Sequence, residues 1–196
     1  CEGKNNLVGA DGTRLEPFRI DTIYKSISQL AEIFDVPDRG QQLNEALKAR
    51  LAKSVATARN KGLKQASALV WFSSAEMATD PYVAGHKGVP EFMLQTLGLH
   101  NVVQSDEEWP AVGWETLAKA NPTFLVIARM DRRRYPADNY EQKLAFLRSD
   151  PVTRNMDAVK HNRIIILDAM ALQASVRTFD GLDQLASAID SYDLPK

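Results

Sequence analysis

Beyond residue 62 the chain alternates short, fully apolar runs with helical patterns, and this alternation restricts the possible folds more than any other feature. Ala68–Phe72, Asn101–Val103, Phe124–Ala128 and Arg163–Asp168 have strand length. Val89–Leu97, Trp114–Asn121, Tyr140–Arg148, Pro151–Val159 and Asp180–Tyr192 have helical spacing between them. Strands that are apolar on both faces require cover on both faces, so the expected class is α/β: a Rossmann-like parallel sheet between two layers of helices.

Two helices are expected ahead of this lobe. Ile20, Ile23, Ile27, Leu30 and Phe34 recur every three or four residues and predict a helix that ends near Pro37. From Asp38 to Asn60, Leu43, Leu47, Leu51 and Val55 recur every fourth residue with Ala46, Ala52 and Ala58 beside them, predicting a helix roughly 33 Å long at 1.5 Å per residue. Gly62 is its expected stop, with Arg59, Lys61 and Lys64 suiting the helix dipole. So long a helix with so narrow an apolar stripe has the pattern of a strut. Residues 1–17, rich in Gly, Asn and charge, have the pattern of a loop.

Composition excludes several functions. Twenty-four basic against 25 acidic residues, net charge −1, give no global field for nucleic acid or an anionic membrane. No apolar run has the length of a membrane span. Cys1 is the only cysteine, so an intrachain disulfide and a cysteine-rich metal site are ruled out. A lipid-anchored leading cysteine and a fragment boundary are the two readings of its position.

In doubly covered parallel sheets, ligands gather beyond the carboxyl ends of the strands. That rule selects the loops 73–87, 129–139 and 169–180. The first follows Trp71-Phe72 and carries Tyr82, His86 and Lys87; aromatic side chains there suit a bulky ligand, and Trp71 and Tyr82 are the candidates. Core packing is the competing reading for one of Trp71 and Phe72. The second carries Arg129, Arg132, Arg133, Arg134 and Tyr135, and the third Arg177. Guanidinium groups are permanently charged planar donors, which points to an anionic ligand at Arg129, Arg132 and Arg177, with Tyr135 beside them. A solvated charge run is the plain alternative for the arginine triplet. No glycine-rich phosphate loop or nucleophile elbow is present, and His86, His100 and His161 are scattered, so no catalytic or metal constellation assembles.

Three segments carry a resemblance. They are Trp114-Glu-Thr-Leu-Ala-Lys-Ala-Asn-Pro-Thr123 before the strand at Phe124, Tyr82–Gly85 followed by Phe92–Val103, and Asp157–Asp168. In order and spacing they resemble the substrate-binding proteins of ABC importers for ferric siderophores, haem and cobalamin. The resemblance implies two Rossmann-like lobes joined by a rigid bridging helix, with the ligand in the cleft between them. On it, residues 1–17 correspond to a remnant of the amino-terminal lobe, 18–62 to a helical segment with the bridging helix, and 63–196 to the carboxy-terminal lobe. It also implies a non-enzymatic carrier that is periplasmic, or extracellular and membrane-associated, delivers an iron complex to a membrane permease, and has no cofactor of its own. Glu115 matches the position that docks on the permease in that family, although a carboxylate opening a helix also simply complements its dipole. Trp114 and Thr123 depart from the family pattern. A ferric siderophore is the expected ligand, with haem or cobalamin the alternatives; from another class, a nucleotide-sugar transferase lobe would direct the arginines at a diphosphate.

Overall fold

The structure is a computed structural model that describes residues 9–59, 63 and 65–192. Its elements, in chain order, are α1 (Asp21–Ile33), α2 (Pro37–Arg59), β1 (Ser67–Ser73), β2 (Tyr82–Val83), α3 (Val89–Leu97), β3 (His100–Asn101), α4 (Trp114–Ala120), β4 (Phe124–Arg129), α5 (Tyr140–Ser149), α6 (Asp157–Lys160), β5 (Ile164–Asp168) and α7 (Arg177–Ser191). The mixed α/β class and the parallel sheet are as expected.

β1, β4 and β5 form the parallel body of the sheet, in register at Ala68–Phe124 through Trp71–Ile127 and at Leu125–Ile164 through Arg129–Asp168. The other edge of β1 is shared. β3 runs parallel along its start, at Ser67 and Ala68, and β2 pairs antiparallel with its end, at Trp71 and Ser73. Alternate residues of each strand feed opposite faces. Ala68, Val70, Phe124, Val126, Ala128, Ile165 and Leu167 pack under α1, α2, α3 and α7, with Leu47, Met93, Leu94, Phe179, Leu182 and Ile189. Leu69, Trp71, Leu125 and Ile127 pack under α4, α5 and α6, with Trp114, Leu117, Leu147 and Met156.

The helix ends follow local chemistry. Gly98 closes α3 at φ 85° and Asn121 closes α4 at φ 47°, both in the left-handed region where Gly and Asn are tolerated. The stretch 151–159 departs from the single helix expected of it: a 3₁₀ turn at Thr153–Asn155 and the four-residue α6 are separated by Met156, which is extended and fully buried. Burying Met156 in the lower core takes it out of helical register. β2, two residues long, is too short for periodicity to detect, and the described part of the expected loop, residues 9–17, is irregular.

α2 also departs from expectation. Its buried side is Gly40, Asn44, Leu47, Ser54 and Ala58, while Leu43, Ala46 and Ala52 are exposed. Close approach to α1 sets this phase, because a Cβ at Gly40 would stand 2.4 Å from the Cβ of Ala31. Arg50 then donates to Asp180 at 2.7 Å and Asp183 at 2.6 Å, and Ser54 donates to Asp183 at 2.5 Å, binding α2 to α7. The expected stop at Asn60–Gly62 and Lys64, like residues 1–8 of the amino-terminal loop, lies outside the described residues.

Candidate functional site

The carboxyl ends of β1, β4 and β5 are Ser73, Arg129 and Asp168; Arg129 and Asp168 are in register, and Ser73 lies two residues past the last β1–β4 pair, Trp71–Ile127. Each expected ligand residue is placed relative to this edge. Arg129 is about half exposed, and its guanidinium lies 3.8 Å from Asp168, an ion pair too long for a hydrogen bond. Asp168 spends its other oxygen on the amide of Met170, which opens the next 3₁₀ turn. Arg129 therefore keeps most of its donors for a ligand.

Arg132, Arg133 and Arg134 are exposed on the loop that follows β4. Arg134 lies over the ring of Tyr135, 5.3 Å from its centroid, and Tyr135 is 38% exposed. Arg177 is exposed at the first residue of α7. Tyr82, 41% exposed, is brought to the same end of the sheet by its pairing with Ser73. The edge thus presents arginines and two phenols against the carboxylates of Asp131 and Asp168. Among the described residues no group of three His, Cys, Asp or Glu side chains is gathered to hold a metal ion.

Trp71 is not on this surface. Its side chain is fully buried in the lower core, edge-on to Trp114 at 4.7 Å between ring centroids, and its indole N–H donates to the Ser73 carbonyl and the Ser74 hydroxyl, both at 3.0 Å. Strand alternation decides this: Trp71 follows Leu69 into one face, so Phe72 takes the other and packs, half-buried, against Trp109, ring centroids 4.6 Å apart and planes tilted by 37°. His86 and Lys87 are likewise engaged, both on Asp106 (2.9 and 2.7 Å). Lys87 also donates to the carbonyl of Arg14, whose own guanidinium is buried and donates to Glu108 at 2.6 Å. Glu115 is exposed in the first turn of α4, which returns antiparallel to the strands and so begins at their carboxyl end.

Beneath the arginine loop lies a network that sequence reasoning missed. The side chain of Lys143, on α5, has no exposed surface; its ammonium donates to the carbonyls of Phe72, of Ala128 at 3.0 Å and of Trp71 at 3.5 Å. All three N–H donors of the ammonium are used. Asp138, 3% exposed, accepts the Ser73 hydroxyl at 2.5 Å on one oxygen and the amides of Arg134 and Tyr135 at 2.7 and 2.9 Å on the other. Burial opposes ionisation of Asp138, but these hydrogen bonds outweigh it and hold the carboxyl below its ordinary range. Burial pushes the Lys143 ammonium down to about 7, with Asp138 pulling the other way. The one signal in the sequence was Asp138-Asn139 ahead of a helix, where Asn139 does cap α5 by accepting the amide of Glu141.

The family described as periplasmic binding protein matches residues 8–171. No curated protein sequence matches. Among solved structures, one titled as an ABC-type Fe3+-hydroxamate transport system from Saccharomonospora viridis superposes with a TM-score of 0.72 at 21% identity, over 90% of this chain and 58% of that one. A periplasmic haem-binding protein from Pseudomonas aeruginosa gives 0.71 at 20% identity, over 91% and 62%. A periplasmic binding protein from Veillonella parvula gives 0.68 at 26% identity, over 89% and 58%. The chain therefore spans about three fifths of the length of these structures, and the fold is what it shares with them. With a family match over most of its length, the chain belongs to the periplasmic binding protein family.

Proposed function

We propose that this chain is a ligand-binding lobe, with the inter-lobe helical segment, of the solute-binding component of an ABC importer, and that its ligand is a ferric siderophore or related anionic iron chelate. The observation that carries the ligand class is the arginine-rich edge at the carboxyl strand ends. Arg129, Arg132 and Arg177 are all exposed there, and Arg129 is held by its neighbour Asp168 only at long range. Planar cations of this kind match carboxylate and catecholate oxygens. Tyr82 and Tyr135 supply apolar area with a polar tip for the organic rim of the chelate. The protein is a non-enzymatic, periplasmic carrier on this reading, and Glu115, exposed at the ligand end of the sheet, meets the permease.

Haem is the second reading. Two part-exposed phenols share an edge with the arginines, which suits a tyrosine axial ligand with propionates on guanidinium groups. Calorimetric titration of the protein with a ferric catecholate, a ferric trihydroxamate, haem and cobalamin, repeated with Arg129→Ala and Arg177→Ala, tests the assignment. Saturable binding of an iron complex, weakened by either substitution, is the expected outcome. Binding of cobalamin alone, or iron-complex binding indifferent to both arginines, overturns it.

A further inference from the structure

β1 and β4 are hydrogen-bonded neighbours as far as Trp71–Ile127, and beyond that pair they part to release the two loops that flank the ligand edge. The carbonyls of Trp71, Phe72 and Ala128 lie at or just past that parting. A buried carbonyl needs a hydrogen-bond donor. An apolar side chain at this point could supply none. The chain instead brings in an ammonium from one turn inside α5, below the sheet, and closes all three carbonyls with it.

Ala128 immediately precedes Arg129, and Phe72 immediately precedes Ser73, so the ammonium holds the last peptide on the ligand side of each strand. The same loop-and-helix unit presents Asp138, whose two oxygens tie Ser73 of β1 to the amides of Arg134 and Tyr135. Asp138 is the charged group facing Lys143. The two side chains therefore span the gap between the strand that carries the first ligand loop and the loop that carries the arginines.

We propose that Lys143, acting with Asp138, is a positioning residue for ligand binding: it sets the spacing of the β1 and β4 ends and the conformation of the loop from Arg129 to Tyr135, without touching the ligand. The inference rests on the proposed ligand edge, but the conformational part of it does not need a ligand to be tested. Lys143→Met keeps an unbranched stem of four heavy atoms and removes the donors and charge. Leu147→Ala, in the same helix and fully buried, is the control for a loss of packing alone.

Amide hydrogen exchange of both variants and the parent is measured first. In Lys143→Met, the amides of Arg134 and Tyr135 are expected to exchange at least about tenfold faster than in the Leu147→Ala control. In the titration, Lys143→Met is expected to bind the iron complex about tenfold more weakly than the control, the scale on which outer-shell partners act. Should Lys143→Met not fold, Lys143→Gln, which keeps one donor group, takes its place with the same two readouts. Unchanged exchange at both amides, or binding lost equally in the Leu147→Ala control, overturns the proposal. If the parent binds no iron complex, the ligand assignment fails while the exchange result still decides the role of Lys143.

Discussion

A lysine with no exposed surface is held where its charge is costly, and the sign of that cost is measurable. The folded state lowers the Lys143 ammonium to about 7, whereas an unfolded lysine titrates near 10.4. Between these values the unfolded chain binds the extra proton, so the contribution of this group to stability rises with pH across that window and is smallest below it. Urea unfolding of the parent and Lys143→Met at pH 7, 8.5 and 10 checks this: the difference in unfolding free energy, parent minus variant, should increase with pH. A flat difference would mean the ammonium is no harder to keep charged inside than outside. Asp138 gives the same pH sign from the opposite cause, its charged form being favoured: its depressed carboxyl supplies stability above the unfolded carboxylate range that is lost as pH falls through its folded value. At this scale the arginines were legible in the sequence, because a charged residue directly after an apolar strand has only one end of the sheet to occupy. Lys143 was not, because nothing in Tyr140–Arg148 distinguishes a buried lysine from a solvated one until the parting of two distant strands is known.

Among the elements, α3, α4, α5 and β4 lie within about a residue of where periodicity and capping put them, since each is long enough to show its period and ends on Gly, Asn, Pro or charge. α2 shows how phase can escape the same method. Leucine spacing favoured a stripe through Leu43 and Val55, but the tight α1–α2 contact selects the side that carries Gly40, Asn44 and Ser54, where small or polar residues let the helices close. The two phases predict different costs. Leu47→Ala, at a site 4% exposed, should destabilise by about 2–4 kcal/mol, while Leu43→Ala, at a site 46% exposed, should stay within about 0.5 kcal/mol. Denaturant midpoints of the two variants settle the phase, and equal losses would favour the leucine stripe.

The whole molecule has two cores on one sheet, and neither is closed without the same three strands. Loss of either layer would strip apolar side chains of β1, β4 and β5 of their cover, so the lobe should unfold in one step. The near-ultraviolet signal of the Trp71–Trp114–Phe146 cluster reports the lower layer, and far-ultraviolet dichroism reports all helices. Their urea transitions should coincide; separated midpoints would show that the layers come apart independently. Among the described residues cover is thinnest at the α1–α2 corner, with Ile33 75% and Phe34 72% exposed.

The shared edge of β1 has an implication for engineering. With β3 on its first half and β2 on its second, that side of the sheet offers no free run of peptide groups for another strand. Among the described residues, β5 forms the opposite flank, where the Tyr192 hydroxyl already occupies the carbonyl of Ile164 and Ile166 is partly exposed. Any strand grafted onto this lobe, such as a reporter hairpin for a biosensor, has to be designed against β5, and Tyr192 is the first side chain such a graft must displace.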